Sequence, residues 1–287
     1  MSRMNRVAAT LFAAIAGGAI VAAQTATFSS RLEAVRVDVL VTDNGRIVRG
    51  LRPADFEVVD NGVVQQIDLA TFEELPINVI LALDMSQSMV GERLEHLRAA
   101  GRAVIDGLRR DDGAALLTFS HMVRLSQALT REAGSVRQAL DRVQPSGSTA
   151  LVDGVYSAMT LAGSDAGRDL LLVFSDGLDT ASFLTPARVL ESARRTDATV
   201  YSVSVRGSGR SDFLRDLSEQ TGGNTVEIAS TTDLQKTFVG ILDEFRQRYL
   251  LSYTPRGVSR DGWHRLQVRL KGRRGAVTAR TGYVAGT

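Results

Sequence analysis

The distribution of apolar positions divides the chain into three parts. Between about residues 32 and 72, apolar and polar residues alternate, most clearly over residues 35–41. This period of two predicts β-strands with one buried face. Over residues 76–247, continuous apolar runs alternate with amphipathic segments, which is the pattern of parallel strands joined by helices. From residue 248 onward the period of two returns.

The middle part is predicted to be an α/β domain, with a doubly wound, mostly parallel sheet flanked by helices. The predicted strands cover residues 77–83, 114–119, 169–175, 198–205 and, more weakly, 224–228. The predicted helices cover residues 91–108, 132–143, 149–162, 187–195, 211–220 and 232–247.

The two outer parts are predicted to combine. Asp43-Asn44-Gly45 and Asp60-Asn61-Gly62 are tight-turn sequences, because Asn and Gly tolerate positive φ. Strands at 56–59 and 63–69 flank the second turn, and a terminal hairpin is predicted from strand 265–270 and residues 276–280. A lone hairpin is barely stable in water. Both ends are therefore expected to form one small β module, with the α/β domain inserted between them.

The first residues have the layout of a secretory signal peptide. Arg3 and Arg6 precede an Ala-rich apolar run of 17 residues that ends at Ala23, a small residue suited to cleavage. An uncleaved membrane anchor is the alternative, although the run is at the short limit for a membrane span. In either case the rest of the chain is expected outside the cytoplasm, in the periplasm or secreted. The predicted division is a signal peptide at 1–23, an N-terminal β segment at 24–75, the α/β domain at 76–247 and a C-terminal β segment at 248–287.

Composition and charge narrow the possible functions. The 287 residues include no cysteine, which excludes disulfides, thiolate metal sites and cysteine nucleophiles. The net charge of +2 gives no general reason to bind nucleic acid. Ten basic residues and one acid lie between Arg246 and Arg280. Behind an export signal, this stretch suits an anionic envelope component or an acidic protein better than nucleic acid, and an exposed strand face is the plainer explanation.

Short side chains that carry oxygen follow the first strand of the predicted sheet. Asp84, Ser86 and Ser88 occupy alternate positions just after the apolar run, at the end of the strand where open α/β sheets bind ligands. A carboxylate and two hydroxyls suit a hard cation that prefers oxygen and keeps some water. Thr149, at the start of a predicted helix, and Asp176, after another strand, complete the set. Helix capping, or a site that has lost its metal, is the alternative, because Asp and Ser are ordinary capping residues.

These residues resemble a known family. The succession D-x-S-x-S, then T-x-x-x-D from Thr149, then an apolar strand ending in S-D-G resembles the von Willebrand factor type A (VWA) domain and its metal-ion-dependent adhesion site. The resemblance implies that Ser86 and Ser88 coordinate the ion directly, that Asp84 and Asp176 act through bound water, and that Thr149 does either. It also implies Mg²⁺, with Mn²⁺ as a substitute, and an open coordination position for an acidic side chain of a protein partner.

The whole chain also resembles a bacterial family of secreted VWA-related proteins that is common in acidobacteria. This second resemblance is carried by the strand of the metal site together with residues 37–43, 50–56, 249–255 and 280–283. One position departs from the usual metal-site pattern, because Gln87 stands where many VWA members have glycine. If the backbone at this position required a positive φ, glutamine would be strained and metal affinity would suffer.

The sequence therefore favours an extracytoplasmic module that captures an exposed Asp or Glu of a partner protein through Mg²⁺. A structural scaffold of the cell envelope, in which the metal only stabilises the fold, is the alternative. A metal-dependent hydrolase is less favoured, because no residue is placed by motif to act as a base. The three histidines are isolated in sequence and are expected to have structural or surface roles; they are His96, His121 and His264. Asp153 is expected either to make a structural hydrogen bond or to hydrogen-bond to a ligand of the metal. Asp179 is expected to be a solvated turn residue.

Overall fold

The computed structural model describes residues 34–72, 75–163, 167–207 and 212–286. The predicted signal peptide lies outside these ranges. Within them, no helix is both long enough and apolar enough to cross a membrane.

Fifteen β-strands and six α-helices are formed by the described residues. The strands are β1 (Val35–Asp43), β2 (Arg46–Ile47), β3 (Phe56–Asp60), β4 (Val63–Gln65), β5 (Ile67–Phe72), β6 (Ile77–Asp84), β7 (Gly113–Phe119), β8 (Val123–Thr130), β9 (Arg168–Ser175), β10 (Thr199–Val205), β11 (Thr225–Ile228), β12 (Tyr249–Tyr253), β13 (Gly262–Leu270), β14 (Ala276–Thr278) and β15 (Gly282–Ala285). The helices are α1 (Glu92–Asp106), α2 (Ala133–Arg142), α3 (Leu151–Met159), α4 (Pro186–Ala193), α5 (Asp212–Thr221) and α6 (Leu234–Arg246).

The central sheet has six strands in the order β11-β10-β9-β6-β7-β8. Its neighbours are parallel, except that β8 runs antiparallel to β7. Strands β6 and β9 are buried along their whole length, because α1, α2 and α6 cover one face of the sheet and α3, α4 and α5 cover the other. Continuous apolar runs are what such doubly covered strands require. The predicted α/β class is confirmed.

The predicted strands and helices of this domain all occur, with ends shifted by at most three residues. Strand β8, however, is not predicted by the sequence. It lies at the edge of the sheet and pairs with β7 through two register shifts. These irregularities and its half-exposed position leave no regular alternation of apolar residues.

The flanking strands form two sheets that share one hydrophobic core. One has the order β14-β1-β12-β5, with β2 paired to β1, and the other has the order β15-β13-β3-β4. Both contain strands from the two ends of the chain, since β1 and β5 pair with β12, and β3 pairs with β13. Val37 and Leu251 of the first sheet pack in one cluster with Val58 and Leu266 of the second. The boundaries of the predicted domains stay a prediction.

Two details of the β prediction are wrong. The predicted strand 63–69 is interrupted at Gln66, so that β4 and β5 enter different sheets. The predicted terminal hairpin does not form, because β13 pairs with β3 and β15 whereas β14 pairs with β1. Pairing with strands from the other end of the chain places β13 and β14 in larger sheets around a shared core, which an isolated hairpin cannot provide.

A buried ion pair and an exposed one join these β layers to the amino-terminal end of the central sheet. Arg168, at the start of β9, forms an ion pair with Asp38 of β1 and donates to the carbonyl of Phe245 at 3.1 Å. Arg280 pairs with Asp197 at 2.8 Å. The loops that carry the predicted site residues lie at the opposite end of the sheet, after the carboxyl ends of its parallel strands.

Candidate metal site

The candidate site lies at the carboxyl ends of β6 and β9. After β6 the chain continues to β7 and β8 on one side and then returns to β9 on the other, so the loops that follow these two strands diverge. The crevice between such loops is the usual ligand position in an open α/β sheet. The register places Leu83 opposite Phe174, so that Asp84 and Ser175 end their strands side by side.

Asp84 is fully buried at the floor of this crevice. The backbone N–H of Ser86 donates to its Oδ1 at 2.8 Å, and the hydroxyl of Ser175 donates to its Oδ2 at 2.7 Å. Burial raises the pKa of Asp84; these hydrogen bonds oppose the shift and the nearby Asp176 adds to it. The carboxylate is oriented by its donors but has lost its hydration, so a cation beside it would be stabilising.

Oxygen contacts connect Ser86, Ser88 and Asp176. The hydroxyl oxygens of Ser86 and Ser88 are 2.9 Å apart, and Ser88 donates to Oδ1 of Asp176 at 2.6 Å. Two oxygen ligands at neighbouring corners of an Mg²⁺ octahedron lie about 2.9 Å apart, because each is roughly 2.0–2.1 Å from the ion. The spacing of the two serine oxygens therefore fits such an ion as well as it fits a hydrogen bond.

Thr149 borders the crevice from the segment that leads into α3. Its hydroxyl lies near Gly177, since a Cβ built on that glycine would be 3.9 Å from the threonine Oγ1. Its carbonyl accepts hydrogen bonds from the N–H groups of Thr180 and Ala181 at 2.9 and 3.1 Å. Thr149 is thus tied to the loop that follows Asp176.

Contacts therefore join Asp84, Ser86, Ser88 and Asp176, and Thr149 is tied to the loop that follows Asp176. The role of these five residues as metal ligands stays a prediction. Among the described residues, no group of three or more His, Cys, Asp or Glu side chains could hold a metal. A metal ion in the crevice would consequently depend on serine and threonine oxygens together with two carboxylates. This donor set suits a hard divalent cation and offers nothing to a thiophilic one.

Gln87 is accommodated without backbone strain. In the described part of the chain, the non-glycine residues with positive φ are Asn44 and Asn61, the middle residues of the two tight turns. Gln87 instead begins a short 3₁₀ helix, Gln87–Met89, and its N–H donates to the carbonyl of Gly147 at 2.9 Å. The departure from glycine therefore gives no reason to expect weak metal binding.

Two contributors to the site are not anticipated by the sequence analysis. Ser175 orients Asp84, and its position directly before Asp176 is the signal that could have indicated it. Arg93, in the first turn of α1, donates to Oδ2 of Asp176 at 2.7 Å. The aspartate side chain is 1% exposed, whereas that of Arg93 is 53% exposed. No motif marks Arg93, because its contact depends on where α1 begins relative to β9.

The histidines have structural contacts. His264 is buried, with Nδ1 2.7 Å from Oδ1 of Asp60. His96 Nδ1 is 2.9 Å from the hydroxyl of Thr231. The ring of His121 occupies the space that a side chain at position 147 would need, and Gly147 also has a positive φ.

A doubly wound α/β domain with clustered Asp, Ser and Thr side chains at its switch point is the class of protein that the fold and site define. The von Willebrand factor type A domain profile matches residues 78–239, more than half of the chain. The protein therefore belongs to the VWA family, as the motif indicates.

Similar proteins support the same assignment. Inter-alpha-trypsin inhibitor heavy chain H2 of Mus musculus is 23% identical over 212 residues, which cover 66% of this chain and 22% of the heavy chain. The match thus spans about a fifth of that relative. A von Willebrand factor type A structure from Catenulispora acidiphila has a TM-score of 0.55 at 14% identity, covering 90% of this chain and 74% of its own.

A third comparison concerns the metal motif. Proximal thread matrix protein 1 from the mussel byssus, solved with a zinc-occupied MIDAS motif, has a TM-score of 0.55 at 14% identity. It covers 65% of this chain and 49% of its own. At these identities the solved structures show the shared fold, and the bound zinc is a property of the mussel protein.

Proposed function

We propose that this protein is an extracytoplasmic binding module that captures an acidic side chain of a partner protein through a divalent ion, Mg²⁺ or Mn²⁺. The observation that carries the proposal is the contact chain from Ser86 through Ser88 to Asp176, beside the buried Asp84. The composition at residues 1–23 supports the location. VWA domains generally bind protein partners, which supports the class of ligand.

The proposed role of each site residue follows from the chemistry of its side-chain oxygen atoms. Ser86, Ser88 and Thr149 would contact the ion, and Asp84 and Asp176 would hold its water ligands. The bound ion supplies a positive charge with an exchangeable coordination position. Neutral hydroxyl ligands leave more of that charge uncompensated than carboxylates would, which favours capture of a carboxylate from outside.

Binding is proposed rather than catalysis, because the neighbouring acids are already engaged. Both carboxylate oxygens of Asp153 accept backbone hydrogen bonds, from Phe183 and Leu184 at 2.9 Å each. Asp179 Oδ1 accepts from the hydroxyl of Ser182 at 2.5 Å. A general base must be able to reach and accept a substrate proton, and neither acid is placed for that role.

The burial of Asp84 favours a second candidate, a scaffold of the cell envelope in which the ion only offsets the charge of that carboxylate. Both candidates predict stabilisation by metal. They differ in whether the metal is also required for contact with a partner.

Capture from envelope extract, with Mg²⁺ or with chelator, separates these candidates. Wild type and Asp43→Ala, a control at an exposed acid, should retain the same partner in Mg²⁺ and lose it in chelator. Asp84→Ala should not retain it under either condition, and Asp176→Ala should weaken capture without changing the circular dichroism spectrum. Undiminished capture in chelator would contradict the binding proposal and favour the scaffold.

A further inference from the structure

Apolar side chains are exposed around the candidate metal site. In the loop between β9 and α4 (residues 176–185), Phe183 is 97% exposed and Leu178 is 53% exposed. Val90, which follows the 3₁₀ helix of the site, is 54% exposed. Single exposed apolar residues are ordinary, whereas several of them in the loops that border one site suit an interaction surface.

The exposure of Phe183 is imposed by the fold, because the β9–α4 loop is fastened to α3. The two carboxylate oxygens of Asp153, in the first turn of α3, accept from the N–H groups of Phe183 and Leu184. Asp179 accepts from Ser182 within the loop and from the N–H of Val152 at 3.3 Å. Asp153 thus holds the backbone of Phe183 and Leu184, and Asp179 joins the preceding part of the loop to α3, while the ring of Phe183 projects into solvent.

The same loop is attached to a predicted metal ligand. The N–H of Ala181 donates to the carbonyl of Thr149 at 3.1 Å, and Phe183 lies two residues further along the chain. Two residues span at most about 7 Å. Phe183 therefore lies within about 7 Å of Ala181, which is hydrogen-bonded to Thr149. This places Phe183 at the same end of the sheet as the crevice.

Positive charge beside this apolar surface would come from one arginine and from the proposed ion. Arg93 is half exposed next to Asp176, and a divalent ion in the crevice would add to it. The two acids of the β9–α4 loop already have donors: Ser88 and Arg93 donate to Asp176, and Val152 and Ser182 donate to Asp179. A surface with a cationic centre and an apolar border complements a segment that is both acidic and apolar.

We propose that the β9–α4 loop is the second half of the binding surface, and that the partner is a protein segment with a large apolar residue a few positions from its metal-binding Asp or Glu. The apolar residue packs on Phe183 and Leu178, and the acid enters the crevice. This inference rests on the proposed function, because it takes the captured acidic group as the first point of contact. It adds a reason for selectivity among acidic segments.

A randomised peptide library, displayed and selected in Mg²⁺, tests the inference without a known partner. The full chain is used as wild type, Phe183→Ser, Asp84→Ala and Val64→Ser, the last being a control at a 59% exposed apolar residue of β4. Wild type and Val64→Ser should enrich peptides with an acid near a large apolar residue. Phe183→Ser should enrich the acid alone, and Asp84→Ala should enrich neither.

The strongest enriched peptide is then titrated by fluorescence. Phe183→Ser should weaken its binding about tenfold, because the packing contributed by one phenylalanine side chain is lost, and Val64→Ser should leave it unchanged. Removing a fully exposed ring breaks no contact within the fold, so circular dichroism spectra should be identical.

The outcomes distinguish the two proposals. If Phe183→Ser enriches the same peptides as wild type and binds them with the same affinity, while Asp84→Ala enriches none, this inference is overturned and the proposed function stands. Wild type that enriches no acidic peptides, or Asp84→Ala that still enriches them, would contradict both. Self-association of the wild type in sedimentation velocity that Phe183→Ser abolishes would assign the loop to a second copy of the chain, and would also overturn the inference.

Discussion

At the scale of single residues, Asp84 carries the main electrostatic cost of the site. Burial raises its pKa, so its ionised form is less favourable in the native state than in the unfolded chain. The resulting destabilisation is absent below the pKa of Asp84 in the unfolded chain, near 3.8. It develops as pH rises through the higher pKa of Asp84 in the native state. A bound cation would offset it by favouring the ionised form.

Asp84→Asn should therefore be at least as stable as wild type in chelator at pH 7. The amide oxygen can still accept from the N–H of Ser86, and the hydroxyl of Ser175 can turn toward the carbonyl of Gly177, 3.2 Å away. Thermal unfolding measured at several pH values should show the difference shrinking as the pH approaches 3.8. A variant clearly less stable than wild type at pH 7 in chelator would contradict this role of burial.

Arg93 is expected to lower metal affinity, because its guanidinium already neutralises part of the charge of Asp176. Arg93→Ala should bind Mg²⁺ roughly two- to fivefold more tightly, a small effect because a half-exposed ion pair is screened by solvent. Calorimetric titration measures it, with Arg188→Ala as a control at an exposed arginine on α4. Weaker binding by Arg93→Ala alone would show that the arginine supports the ion instead.

The sequence predicts which residues meet at the site better than it predicts how they are supported. Asp84, Ser88 and Asp176 are found because strand ends and spacing place them at one edge of a parallel sheet. The roles of Ser175 and Arg93 are not found, because they arise from contacts between elements far apart in the chain. Such contacts leave no period in the sequence, although Ser175 itself stands in the S-D-G motif.

At the scale of elements, the apolar pattern predicts strands but not their partners. A period of two shows which face of a strand is buried. It does not show whether β13 continues into a hairpin with β14 or pairs with β3, as it does. In the α/β domain the ambiguity is smaller, because buried strands alternate with amphipathic helices and connection rules restrict the topology.

A buried polar cluster joins the two outer sheets at Asp60. Its carboxylate accepts from the hydroxyls of Tyr253 and Tyr283 at 2.9 Å each, and Nδ1 of His264 lies 2.7 Å away. Tyr253 belongs to one sheet and the other three residues to the facing sheet.

Asp60→Ala should cost about 3–5 kcal/mol of unfolding free energy, because it leaves several buried polar groups without their partner. Urea denaturation, followed by tyrosine fluorescence, measures the loss. Asp43→Ala, which removes an exposed carboxylate, should have little effect. A loss below about 1 kcal/mol for Asp60→Ala would mean that the cluster is not a significant link between the sheets.

At the scale of the whole molecule, the two ends of the chain depend on each other. Strand β12 lies between β1 and β5, and β13 is a neighbour of β3. Deleting residues 248–287 would expose the buried side chains of Val37 and Val39, together with unpaired strand edges.

The truncated protein should therefore aggregate or be cleaved early within residues 34–72. Limited proteolysis followed by mass spectrometry locates the cleavage sites, and the full chain is the reference. If residues 34–72 are protected equally in both proteins, the two ends are independent.

The central claim is that serine oxygens in this crevice hold a divalent ion, and the melting temperature with and without Mg²⁺ tests it most directly. Ser86→Ala is the matched variant, because it removes the hydroxyl but keeps the backbone N–H that binds Asp84. At 100 times the dissociation constant, metal bound only to the native state stabilises by about 2.7 kcal/mol, which corresponds to roughly 5–10 °C. The account predicts this rise for wild type and its loss in Ser86→Ala; an equal rise in both proteins, or none in wild type, would contradict it.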